Sequence, residues 1–256
     1  METAAELHEN YVYALSRISA LSPGARTQQI GPWLCVDAAV EEAYFNIATL
    51  MPGEGSDSAG SDTLHLVERW FANRERGWRL ILRSSEDRRE ITAARRAGYQ
   101  DGEREPVMVL EPLTPRGPVN GLLSIVRVET EQDILDYARA EPGDAEDLEM
   151  RESMTRAAMT VPGCTMYVGR IGSAPVGRSM ALVTGEVVGV YNVFVRPEWR
   201  RRGFGAALTG SVLAEGLVAG CARCCLEATA LGKPMYERLG FRVVDHYLSL
   251  WAPESR

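Results

Sequence analysis

Val193-Phe194-Val195-Arg196-Pro197-Glu198-Trp199-Arg200-Arg201-Arg202-Gly203-Phe204-Gly205-Ala206 is the stretch that decides the fold. Its apolar start reads as a strand that stops at Arg196-Pro197, since proline offers no ladder donor. A short basic loop follows, and an amphipathic helix opens near Phe204 and runs to about Ala219. The first amides of a helix lack an internal partner and sit at the positive end of its dipole. A strand feeding a basic, glycine-containing helix start is therefore suited to hold a pyrophosphate. Gly203 and Gly205 carry no Cβ and let the backbone approach a ligand. The plain alternative for Arg200, Arg201 and Arg202 is a solvated basic patch. Beside two glycines and a helix start, the anion site is the better reading.

Downstream comes Leu226-Glu227-Ala228-Thr229-Ala230-Leu231-Gly232-Lys233-Pro234-Met235-Tyr236-Glu237-Arg238-Leu239-Gly240-Phe241. The spacing Arg200-x-x-Gly203-x-Gly205 after a strand, a helix-length gap, and then this segment resemble the GNAT (GCN5-related) N-acetyltransferases. The matching part runs from about Asn120 to the C-terminus. The resemblance implies a mixed α/β fold, a mostly antiparallel sheet flanked by helices. It also implies acetyl-CoA as cofactor, with pantetheine paired to the backbone of Val193, Phe194 and Val195. The pyrophosphate would lie on the amides of Arg201, Arg202, Gly203, Phe204, Gly205 and Ala206, with charge from Arg200 as well.

Acetyl transfer from a thioester to an amine needs a neutral amine, a donor for the oxyanion and a proton for the departing thiolate. By the resemblance, Tyr236 is the acid, with a packing aromatic as its alternative. The backbone N–H of Val193 is the oxyanion donor. Glu227 aligns with a strand glutamate that serves some relatives as base; a surface carboxylate is the equal alternative. Glu186 and His246 are further candidates for the base. Tyr191 and Asn192 precede the cofactor strand and are expected to line the acceptor pocket. The connection from Glu227 to Tyr236 is short and holds no asparagine, so a cofactor contact found in some relatives has no counterpart. The expected function is an N-acetyltransferase acting on a primary amine of a small molecule or peptide. The alternative is a non-catalytic acyl-CoA-binding or sensing module. The sequence does not identify the acceptor, and a homodimer stays open.

The 256 residues are 45% hydrophobic and 25% charged, ordinary globular composition with length for one large or two small domains. No apolar run reaches the length of a membrane helix. The acidic start Met1-Glu2-Thr3-Ala4-Ala5-Glu6 lacks a signal peptide's basic and apolar segments, so a cytoplasmic location is expected. A net charge of −7 argues against a nucleic-acid partner. Cys221 and Cys224 have metal-ligand spacing, but no second pair exists and His8, His65 and His246 are scattered. Cys35, Cys164, Cys221, Cys224 and Cys225 are read as small apolar thiols, with no metal and no disulfide framework.

Apolar periodicity predicts a helix over 5–20, strands at 33–36 and 44–50, and a turn-rich loop over 52–62. A helix over 63–76, a strand at 78–82, a helix over 87–97 closed by Gly98 and a strand at 107–110 follow. Three prolines between Pro112 and Pro118 mark a boundary between a domain over 1–115 and one over 120–256. The second half reads as a strand at 124–128, helices from 131 and over 144–158, and strands at 165–171, 175–183 and 186–195. The helix of the opening stretch then leads to a strand at 223–228, a helix over 234–239 and a strand at 242–250.

The first half echoes this order. Ala94-Arg95-Arg96-Ala97-Gly98-Tyr99 parallels Tyr236-Glu237-Arg238-Leu239-Gly240-Phe241. Its loop lacks the glycine pattern and carries Glu54, Asp57 and Asp62, which would repel a pyrophosphate. It reads as a smaller, degenerate GNAT-like αβ half-domain that shapes the substrate site, with an unrelated αβ domain as the alternative.

Overall fold

The computed structural model describes residues 2–53, 59–114 and 121–253, apart from the side chains of residues 2, 3 and 59–62. In chain order the elements begin α1 (Glu2–Arg17), β1 (Arg26–Ile30), β2 (Trp33–Asp37), β3 (Ile47–Leu50), α2 (Ala59–Ala72), β4 (Arg79–Arg83), α3 (Arg88–Arg96) and β5 (Gln100–Leu110). They continue with β6 (Ser124–Arg127), α4 (Glu131–Arg139), α5 (Ala145–Ala158), β7 (Cys164–Ile171), β8 (Ala174–Thr184), β9 (Val187–Val195), α6 (Phe204–Val218), β10 (Arg223–Glu227), α7 (Lys233–Arg238) and β11 (Arg242–Trp251). The fold is mixed α/β with a mostly antiparallel sheet. Among the described residues no helix is long and apolar enough to cross a membrane.

Two compact units emerge, residues 1–107 with 243–256, and residues 108–242. The division differs from the expected one in a specific way. The final strand joins the first unit, because β11 pairs antiparallel with β4 from Tyr247↔Arg83 to Trp251↔Arg79. Residues 115–120, where the proline-rich boundary was expected, lie outside the described residues.

In the first unit the strands run β1-β2-β3-β4-β11. Strand β1 carries no apolar pattern, since Arg26, Thr27, Gln28 and Gln29 are all exposed. It is held by its backbone ladder to β2 and by the Trp70 indole N–H, which donates to Gln28 Oε1 at 2.6 Å, and neither leaves an apolar period to read. The core gathers Trp33, Val67, Phe71, Trp78, Leu80 and Leu250. Phe71 and Trp78 stack at 4.6 Å.

In the second unit β6, β7, β8 and β9 form an antiparallel run, and β10 adds parallel to β9. The parallel pair needs a crossover, which α6 supplies. Helix α6 packs on β7, β8 and β9, and α4 packs on β7 and β8. The α6 side is sealed by Leu123, Val176, Phe204, Ala207 and Leu208, with Val195 and Trp199 against them. Helix α4 begins with a capping box, in which Thr130 and Asp133 satisfy each other's backbone amides. Arg170 then clamps it, with Nη2 2.7 Å from Asp133 and Nε 2.7 Å from Asp136.

The internal echo is legible in geometry. Strands β3 and β4 are parallel across α2, as β9 and β10 are across α6. Helix α3 ends on Gly98 at φ +91° and α7 on Gly240 at φ +92°. Tyr99 N–H donates to Ala94 O at 3.0 Å, and Phe241 N–H to Tyr236 O at 3.0 Å. Both helices thus stop in the same left-handed glycine motif.

Candidate active site

The parallel ladder between β9 and β10 runs from Arg223↔Val187 to Cys225↔Gly189. Strand β10 continues to Glu227 and β9 to Val195, so the two part beyond Gly189. A β-bulge sharpens the parting. On β8, Met180 lies opposite Tyr191 and Arg178 opposite Phe194, so one extra residue is inserted in β9. Asn192, inside the bulge, holds φ +51°. Beyond it, Arg196 N–H donates to Val176 O on the β8 side at 2.9 Å. Strand alternation then turns the N–H groups of Val195 and Val193 to the opposite, open side. The N–H groups of Val193 and Val195 therefore lie along one edge, while Phe194 between them faces β8.

The edge leads into the basic loop. Arg201 at φ +62° and Gly203 at φ +81° are both left-handed. Gly203 is the N-cap of α6 and no side chain caps the helix. The first helical bond is Ala207 N–H to Gly203 O at 3.0 Å. The amides of Phe204, Gly205 and Ala206 thus have no partner within the helix. Arg201 and Arg202 are exposed, and the Arg202 guanidinium lies 5.0 Å from the centre of the Trp199 ring. Arg200 serves the loop itself: its Nε donates to Val195 O at 3.0 Å, and it covers the Phe194 ring.

Two expected reasons change. Gly205 makes room for a neighbouring helix, because a Cβ there would stand 2.9 Å from Met235 Sδ on α7. Gly203 is needed for its positive φ, which costs a side-chain-bearing residue strain. Phe204 turns inward and is 1% exposed, so only its amide faces the loop.

Tyr236 on α7 is buried against Phe241, with ring centres 5.7 Å apart. Burial pushes its phenol up to about 12, with Cys224 adding to the rise and a hydrogen bond with Thr209 of α6 opposing it. Tyr236 thus stands beside α6 and beside β10, one of the two parting strands. Glu227 is half-buried at the end of β10. It lies four residues past Arg223, as Tyr191 lies four past Val187, so the ladder's register brings it level with Tyr191.

The other candidates for the base fare differently. Glu186 sits at the closed end of the pair, where its carbonyl accepts from Ala222 and Arg223. It is separated from Val193 by about 23 Å of strand, which removes it as a base for that site. His246 belongs to the first unit, with Nδ1 3.5 Å from Arg104 Nη2. None of the five cysteines is in a disulfide. Burial pushes the Cys35 and Cys225 thiols up to about 12, and Cys224 well above the ordinary range, as fits inert apolar thiols.

Residues 162–243 match the family model described as the acetyltransferase (GNAT) domain. That match falls almost wholly within the second unit. The GNAT assignment fits the parted strands, the bulge and the loop just described. No curated protein sequence matches the chain. Among solved structures, a GCN5-related N-acetyltransferase from Kribbella flavida is similar at 17% identity and a TM-score of 0.69, covering 96% of this chain and 95% of its own. A tandem GNAT protein from the clavulanic acid biosynthesis pathway is similar at 15% identity and a TM-score of 0.70, covering 95% and 86%. A GCN5-related N-acetyltransferase from Sphaerobacter thermophilus shares 18% identity and a TM-score of 0.59, covering 87% and 80%. At these identities the likeness is one of fold, and it extends over both halves. The family-level activity is acyl transfer.

Sequence reasoning missed Thr209, Arg178 and Tyr137 around the GNAT site. Each sits on a helix or strand whose pattern already accounts for it as packing. Asn192 was named as a lining residue, but its left-handed backbone was not foreseen. Asparagine's tolerance of that region is the one available signal.

Proposed function

We propose that this protein is an acetyl-CoA-dependent N-acetyltransferase that moves an acetyl group to a primary amine of a small molecule or peptide by direct attack. The observation that carries the reading is the open backbone edge of Val193–Val195 running into the uncapped start of α6. An extended amide chain can pair with that edge as a further strand would. The left-handed Arg201 and Gly203 and the free amides of Phe204, Gly205 and Ala206 suit a pyrophosphate, with Arg201 and Arg202 adding charge.

Acetyl-CoA supplies the thioester; the chain supplies the rest. Val193 N–H donates to the acyl oxygen as negative charge grows on it. Glu227 takes the amine's proton, directly or through a water. Tyr191 and Asn192 line the acceptor side. As the C–N bond forms and the C–S bond breaks, Tyr236 gives its proton to the departing sulfur. The raised phenol keeps that proton through the neutral range. The same desolvation raises the pKa of a thiolate beside it, which keeps the transfer matched. Five cysteines outside any disulfide fit a reducing compartment, the cytoplasm.

The test is an amine panel assayed for free CoA release from acetyl-CoA. Release that depends on one class of amine supports the reading. Binding of acetyl-CoA with no release for any amine would replace it with the non-catalytic module.

A further inference from the structure

Asn192 pairs an uncommon backbone with an exposed side chain whose amide meets a thioether. Its φ of +51° is uncommon for a residue with a side chain, and asparagine is among the few that adopt it. It immediately precedes Val193, so its conformation sets the direction of the Val193 N–H. Its Nδ2 lies 4.0 Å from Met180 Sδ, a weak acceptor. That contact places the Asn192 side chain on the same face of the sheet as Met180 and Arg178.

Helix α4 presents Tyr137 to this face. The Arg178 guanidinium carbon is 5.3 Å from the centre of the Tyr137 ring. Tyr137 is 3% exposed, and its hydroxyl makes no hydrogen bond. The Asn192 side chain faces it as a donor, opposing the rise that burial gives the phenol. A buried hydroxyl without a partner is uncommon and calls for a reason. Half a turn of the amide exchanges its NH₂ and oxygen, and that torsion is soft.

The frame is rigid on both sides of the gap. Arg170 holds α4 through Asp133 and Asp136. Arg196, just past the end of β9, donates to the carbonyls of Arg139 at 2.6 Å and Ala140 at 3.3 Å, at the carboxyl end of α4. The Tyr137 hydroxyl is thereby held in place relative to the bulge.

We propose that Tyr137 is a positioning residue. Its hydroxyl donates to Asn192 Oδ1 when the amide turns, and this bond steadies the bulge in the left-handed form it already has, with the Val193 N–H aimed at the acyl oxygen. The inference rests on the acetyltransferase reading above. It also explains why a phenol is kept where phenylalanine would pack without an unpaired hydroxyl.

The test compares the wild type, Tyr137→Phe, Asn192→Gly and the double variant with the best amine of the panel. Tyr137→Phe is expected to lower kcat by about tenfold while KM and affinity for acetyl-CoA stay unchanged. The melting temperature changes little, since one net hydrogen bond is lost and the ring still fills its place. In the Asn192→Gly background the same substitution leaves kcat within about twofold, because glycine takes a positive φ freely. The Val193 amide resonance gives a readout that needs no turnover: it moves in Tyr137→Phe.

Equal losses of kcat in both backgrounds, a fall in melting temperature with a parallel loss of affinity, or an unmoved Val193 resonance would each make Tyr137 a packing residue. A wild type that releases CoA with no amine overturns the function and this inference together. An active wild type with an uncoupled Tyr137 overturns the inference alone.

Discussion

Tyr236 shows how one side chain can satisfy both of its sequence readings. It packs, being buried against Phe241, and it keeps a hydroxyl beside Thr209 of α6, next to the parted strand β10. Tyr236→Phe keeps the ring and removes the proton donor. Turnover is expected to fall by roughly 10²–10⁴ while acetyl-CoA affinity holds. Full activity in a variant that binds normally would leave only the packing role. The pH profile adds a second check. An acid is active while protonated, and this phenol is raised to about 12, so it loses its proton only above the usual assay range. The wild type should show no alkaline loss of kcat up to about pH 10, where an unshifted phenol would be half ionised. His8 gives a residue-scale effect on stability. Its Nε2 donates to Leu50 O at 2.8 Å, so its Nδ1 accepts from the Tyr247 hydroxyl at 3.0 Å. Burial first, then Arg83, lowers its pKa to about 4. The unfolded chain binds that proton below about pH 6.5 and the folded chain only below about 4, so stability is full above 6.5 and falls as pH drops through that window. The expected loss between pH 7 and pH 5 is about 2 kcal/mol, read from denaturation midpoints. His8→Asn should flatten it, and an equally steep variant would refute the assignment.

At the scale of elements, the loop from β9 to α6 depends on two left-handed residues and one tight helix contact. Gly203→Glu puts a carboxylate and a strained φ where the pyrophosphate is expected. Acetyl-CoA affinity should drop by more than about tenfold by calorimetry. Gly203→Asn is the control, since asparagine tolerates the left-handed region and adds no charge. Its affinity should stay within about threefold. Equal affinity for the wild type and Gly203→Glu would move the pyrophosphate elsewhere. The bulge of β9 was not legible in the sequence at all. Val-Tyr-Asn-Val-Phe-Val reads as an unbroken strand, and only pairing with β8 reveals the inserted residue. The edge strand β1 was missed for a related reason: its order comes from backbone pairing, which leaves no trace in side-chain polarity.

At the scale of the molecule, the two units repeat one plan, and only one of them opens. The β3–β4 ladder covers Ile47, Ala48 and Thr49 and leaves Leu50 alone beyond it, whereas β9 runs six residues past its last partner on β10. Thr49 tightens the first unit further, its hydroxyl donating to Ile81 O at 2.7 Å. The repulsion expected from Glu54, Asp57 and Asp62 concerns side chains outside the described residues, but the closed ladder makes the same case. One acetyl-CoA per chain is therefore expected in a calorimetric titration. Saturation at two would show that the first unit also opens.

The sequence by itself determined the GNAT character of the second half, because a strand end, a basic loop and a glycine-bearing helix start are local features with local signatures. It also determined the echo in the first half, since a helix closed by Gly98 or Gly240 is written in adjacent residues. Tertiary structure alone decided that β9 parts from β10 after Gly189, that Asn192 is left-handed, that Gly205 yields to Met235, and that β11 pairs with β4. Each of these depends on which segment lies alongside another. Pairing partners, unlike propensities, are set by contacts between residues far apart in the chain.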